Sequence, residues 1–182
     1  MRRRSSFESG GLVQVLSAIA LLAAGCAADL KAETVSAPAS AFMAHRAFSI
    51  GAPPTMPSEL HATDMTTALA KAAEPLVSDE LQHRQYQAAG AGTDGDLTVR
   101  VGCAASTLHH PARRERGTGE TIPSADTTIA TFVIDVIDAH GGDRLWHGQT
   151  TAELDAKGDN GEIVRSAVAA VMKGFPQAQH DP

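Results

Sequence analysis

Hydrophobic positions along this chain fall into blocks of different period, and each period predicts an element. Leu97, Val99, Val101 and Cys103 alternate with Thr98, Arg100 and Gly102, the two-residue period of a strand with one dry and one wet face. From Thr127 to Ile137 the chain is apolar at both parities, which predicts a strand in the middle of a sheet. Asp138-Ala139-His140-Gly141-Gly142-Asp143 supplies a hairpin turn, and Leu145 to Leu154 returns as the partner strand with Trp146 over the core. Two stretches carry a helical period instead. Met65, Leu69, Ala72, Leu76 and Leu81 form one stripe after a cap at Thr63 or Asp64, with Pro75 expected to kink or split the helix. Val164, Val168, Val171 and Phe175 form a second stripe, opening near Asp159 or Asn160 and ended by Gly174 and Pro176.

Between these blocks the chain is polar or rich in turn residues. Phe42 to Ile50 reads as a first strand stopped by Gly51-Ala52-Pro53-Pro54. Residues 90–95 read as a glycine-rich loop, and 105–126 as a long polar and basic loop, with an irregular edge strand inside it as the alternative. The order is strand, helix, strand, long loop, hairpin, helix. It predicts an α+β fold: a two-layer domain, with a mainly antiparallel sheet of about four strands and two helices packed on one face.

The N-terminal pattern is of another kind. Arg2, Arg3 and Arg4 precede an almost uncharged run from Leu12 to Ala24, then Gly25-Cys26-Ala27. A basic start, a short apolar run and small residues before a cut site describe a secretory signal peptide, and the run is shorter than the ~20 residues of a spanning helix. Leu22-Ala23-Ala24-Gly25-Cys26 resembles the bacterial lipobox, although Ala23 stands where leucine is usual. The resemblance implies that Cys26 receives a diacylglycerol and further acyl chains and becomes the mature N-terminus. Ala27 and Asp29 resemble the sorting signals of outer-membrane lipoproteins. The expected organisation is a signal peptide at 1–25, a lipidated flexible tether at 26–40, one domain at 41–177 and a tail at 178–182.

Charge then narrows the partners. The chain has 15 basic and 21 acidic residues. Without residues 1–25, which hold three arginines and Glu8, 12 and 20 remain, a formal charge of −8. Such a surface argues against nucleic acid and against long-range attraction to anionic lipid. With Cys26 acylated, Cys103 has no cysteine left to pair with, so packing alone must hold the fold. The parity of its strand places Cys103 on the dry side, as a small hydrophobe rather than a reactive thiol.

Several segments resemble a bacterial lipoprotein family catalogued as domain of unknown function 4136. They are Phe42 to Phe48, Asp96-Leu97-Thr98-Val99-Arg100, Phe132 to Asp138, Leu145-Trp146-His147-Gly148 and the closing helix with Phe175-Pro176. His45-Arg46-Ala47 and the longer 105–126 segment depart from the family pattern. The resemblance implies an envelope lipoprotein of α+β fold and supplies no catalytic residues.

Candidate chemistry is sparse. No HExxH, CxxC, GxSxG or P-loop lysine occurs. The hairpin would gather Asp135, Asp138, His140, Asp143 and His147, and Asp135 is notable for lying inside an apolar run. Asp138 and Asp143 are also ordinary turn residues. Arg113, Arg114 and Arg116 make the one basic patch, suited to an envelope protein or an anionic ligand. The leading expectation is a non-enzymatic binding or scaffolding lipoprotein without cofactor, lipid-anchored and facing the periplasm. The alternative is a periplasmic metal-binding protein or hydrolase using Asp135, Asp138, His140 and His147.

Overall fold

The computed structural model describes residues 30–57, 60–90, 93–117, 119–155 and 158–178. The signal peptide and Cys26 expected from the sequence lie outside these residues. In chain order the elements are β1 Ala32–Ser36, a short 3-10 turn Ala39–Phe42, β2 Ala47–Ile50, α1 Asp64–His83, β3 Gln87–Ala88, β4 Leu97–His110, β5 Arg113–Arg114, β6 Thr121–Ile122, β7 Ala125–Asp138, β8 Arg144–Leu154 and α2 Gly161–Met172.

The expected four-stranded, mainly antiparallel sheet is corrected. The described residues form eight strands in two sheets, a six-stranded one in the order β1-β8-β7-β4-β2-β3 and a two-stranded one of β5 and β6. The larger sheet is mixed, because β2 runs parallel to both β4 and β3. The cause is the connection: α1 intervenes between β2 and β4, and a strand re-entered through a helix starts again from the same end of the sheet. β7 takes the central place its apolar run predicts, antiparallel to β4 on one side and β8 on the other. Its pairing with β4 runs through fourteen residues of each strand. The segment read as a 105–126 loop is thus largely strand: β4 continues to His110, β7 begins at Ala125, and β5 and β6 pair between them. Residues 32–36, read within the tether, are edge strand β1, held by its ladder to β8. Its Val35 is 67% exposed, so backbone pairing rather than burial defines this strand.

The core lies between the sheet and the two helices. Val99, Val101 and Cys103 of β4, Phe132, Ile134 and Val136 of β7 and Trp146 of β8 all point into it. α1 packs on β4, α2 on β8, and the helices on each other. Thr63 caps α1 reciprocally with Thr66, each side-chain hydroxyl accepting the other's backbone N–H. The helix continues through Pro75. Its buried stripe is Thr66, Ala70, Ala73, Val77 and Leu81, one residue later than expected except at Leu81. Met65 faces out, while Leu69 and Leu76 pack on the flank. Small side chains win the central line because they let α1 sit close to the sheet. Val164, Val168, Val171 and Phe175 are buried as predicted, and Phe175 meets Phe42, Tyr86 and Trp146 edge-on.

Arg84, just past α1, ties the two helices together. Its guanidinium donates to the carbonyls of Met172 (2.8 Å) and Phe175 (3.1 Å) at the end of α2 and pairs with Glu80. A cation here satisfies carbonyls that the helix end leaves open. On the other side of the sheet the segment after β2 crosses β4. A Cβ at Gly102 would lie 2.9 Å from Pro54 and 3.2 Å from the Met56 sulfur, and His61 bridges Ala105.

Candidate functional site

Strand pleating builds the most chemically distinctive site. Because Val99, Val101, Ile134, Val136 and Trp146 face the helices, Arg100, Asp135 and His147 emerge on the opposite face. Register makes them neighbours: Arg100 pairs with Asp135, Asp135 with His147, and His147 with Val35 of β1. The result is one row across four strands. Asp135 is 8% exposed, and its Oδ1 lies 2.7 Å from His147 Nδ1. A register shift between Val136 and Ile137 brings Arg144 in from the hairpin, 3.6 Å from the same oxygen. A single carboxylate so surrounded fixes one imidazole nitrogen and leaves Nε2, with the two guanidinium groups, for outside polar or anionic groups.

The five residues expected to cluster are divided by the pleat. Asp135 and His147 meet on the open face, whereas Asp138 belongs to the helix-side parity at the sheet's end. Asp138 accepts the His140 backbone N–H (2.9 Å) and lies 3.7 Å from His45 Nε2. The backbone N–H groups of His140 and Gly141, with His45, hold its carboxyl below the usual aspartate value despite partial desolvation. Asp143 closes the turn by accepting the Asp138 N–H through its carbonyl. Among the described residues no group of three or more His, Cys, Asp or Glu side chains is arranged to hold a metal ion.

Two residues here escaped the sequence reading. Asp96 accepts the backbone N–H groups of Arg46 (2.9 Å) and Ala47 (3.0 Å), which hold its carboxyl below its usual value. Its sequence cues are its place at the head of the family-like segment 96–100 and the preceding Gly95, where a Cβ would come within 2.5 Å of the Phe48 backbone, so β2 and the start of β4 can approach closely. His45 is 8% exposed, and its Nδ1 is buried without a hydrogen-bond partner. No period or motif signals it.

The arginine patch lies elsewhere. Arg113 and Arg114 form β5, Arg116 lies in the following turn, and all three are exposed. Arg114 Nε donates to the Gly119 carbonyl at 2.8 Å, so this arginine also shapes its own hairpin. Cys103 lies in the core as its parity predicts, and desolvation pushes its thiol up to about 12.

Comparison with known proteins agrees with this fold. The family described as domain of unknown function DUF4136 matches residues 33–177. No curated protein matches the chain. A PelC dodecamer from Paraburkholderia phytofirmans superposes with TM-score 0.50 at 14% identity, covering 83% of this chain and 99% of that one. A PDZ domain protein from Parabacteroides distasonis gives TM-score 0.49 at 13% identity, covering 84% of this chain but 36% of that one. The PelC likeness concerns fold alone.

Proposed function

This chain belongs to the DUF4136 family, and on that premise we propose a non-enzymatic envelope lipoprotein that binds or scaffolds another envelope component. Acylated Cys26 anchors it with the domain facing the periplasm, on the outer membrane where two membranes exist. One observation carries the binding half of this reading. The Arg100, Asp135, His147 and Val35 row sets fixed polar groups beside an exposed apolar one on an open sheet face. Interfaces mix polar and apolar surface in this way, and arginine is among the side chains that contribute most. The solved PelC assembly is a dodecamer, which supports treating this fold as one able to work through protein–protein contacts.

The hydrolase or metal-binding alternative gains nothing from the geometry. It needs Asp135, Asp138, His140 and His147 to converge, and alternating side chains send Asp138 away from the other carboxylate.

Two measurements test the proposal. The intact mass of the mature N-terminus should report an acylated Cys26; an unmodified cysteine or another start overturns the anchor. A photocrosslinker at Val35 in intact cells should give one discrete protein adduct that Asp135→Ala diminishes. Absence of any discrete adduct, or one indifferent to Asp135, overturns the binding face.

A further inference from the structure

A groove of about 1010 Å³ runs between edge strand β1 and α2. Leu30, Lys31 and Thr34 line its strand side, and Arg165, Ala169 and Lys173 its helix side. The wall is apolar at Leu30 and Ala169. Three cations and one carboxylate, Glu162, rim it; Glu162 pairs with Arg165 at 2.8 Å, whereas Lys31 and Lys173 have no ion-pair partner among the described residues, so the rim keeps a net positive charge. Behind the wall lies a buried donor without an acceptor, Trp146 Nε1. A Cβ on Gly148 would meet Val171 Cγ1 of α2 first, then that nitrogen at 3.2 Å and the Thr34 methyl at 3.4 Å, so α2, β8 and β1 pack tightly around the indole.

Chain length decides what reaches this groove. Leu30 follows Cys26 by four residues, a span of at most about 14 Å when fully extended. We propose that the groove seats the phospholipid headgroup layer of the leaflet that holds Cys26. Lys31, Arg165 and Lys173 meet the phosphates, and Leu30 and Ala169 lie against the glycerol and upper acyl region. The inference rests on the acylated-Cys26 reading and adds to it an orientation: α2 down, the Arg100–Asp135–His147 face turned away. The mature charge of −8 does not oppose this arrangement. Fields of exposed charges fade over about 8–10 Å at physiological salt, so the membrane senses the rim and little of the acidic remainder.

The test uses the mature lipoprotein reconstituted in phosphatidylethanolamine–phosphatidylglycerol vesicles. Fluorophores are attached at Ser166→Cys in the groove and, separately, at Thr151→Cys on the exposed far side of β8. Buried Cys103 stays unlabelled. Lipids with nitroxide headgroups should quench the Ser166 probe severalfold more than the Thr151 probe. Lys31→Glu with Lys173→Glu should abolish that contrast while the protein still floats with the vesicles. Flotation with equal quenching at both probes overturns the groove proposal and leaves the anchor standing. Disulfide crosslinking of Ser166→Cys between two protomers also overturns it, because a second copy then fills the groove. Failure of the parent protein to float overturns the anchor and this inference together.

Discussion

The two faces of the β4–β7–β8 sheet come from the same strands read at alternate residues, yet they are built on different physics. On the helix face Val99, Val101, Phe132, Ile134, Val136 and Trp146 are sealed by α1 and α2. On the other face Asp135 holds His147 by a hydrogen bond and Arg144 by charge, with Arg100 beside it in the ladder. Burial on the first face scales with apolar area removed from water. The second face gains little net energy per bond, because each group gives up water to gain a partner. The difference assigns stability to one parity and leaves the other for the proposed recognition, so substitutions should separate the two.

The sharpest break comes from Trp146→Ala. It leaves a cavity beneath Phe175 and should cost about 3–5 kcal/mol in urea denaturation. Trp146→Phe should cost much less, because the indole N–H has no hydrogen bond to lose. Arg84→Ala removes the charged donors at the end of α2 and should cost about 2–3 kcal/mol. Asp135→Ala on the open face should cost only about 1–2 kcal/mol, with a coupling to His147→Ala of about 1 kcal/mol in a double-mutant cycle. A loss at Asp135 equal to that at Trp146 would erase the distinction between faces.

Asp96→Ala should cost about 1 kcal/mol at neutral pH, since two backbone donors lose their acceptor. The Asp96 carboxyl sits below its ordinary value of 3.8. Its stabilisation is therefore complete above that value and disappears as pH falls through the lower folded one. The gap between parent and variant should narrow in acid, and a gap constant from pH 7 to pH 2 would sink this assignment. Arg116→Ala, in the exposed tip, should change stability by less than about 0.5 kcal/mol.

How much of this was legible followed the same division. Where burial defines an element, its period was visible: the parity of Leu97 to Cys103, the apolar run of β7 and the stripe of α2. In α1 the stripe was visible but displaced, because Met65 and Leu69 are more hydrophobic than Thr66 and Ala70, while close packing on the sheet selects the smaller pair. β1 was missed because Ala32–Ser36 is held by backbone bonds that leave no mark in its side chains. The distal parts of β4 and β7 were missed for a related reason. His109 and Asp126 face each other at 2.6 Å on an exposed ribbon, so neither parity is apolar. Of the candidate site, the Asp135–His147 pair could be read from the hairpin. The separation of Asp138 required the strand to be counted to its end.

The parallel pairing of β2 with β4 also bears on how the chain reaches this state. The β4–β7–β8 meander joins segments close in sequence, whereas Phe48 must find Leu97 across the whole of α1. Contacts of such long sequence separation carry a high loop-closure cost and tend to form late. Asp96, anchoring the Arg46 and Ala47 amides, then acts as the latch of a late docking event rather than as part of a nucleus. Chevron kinetics can read this directly: Asp96→Ala should accelerate unfolding and leave the refolding limb nearly unchanged.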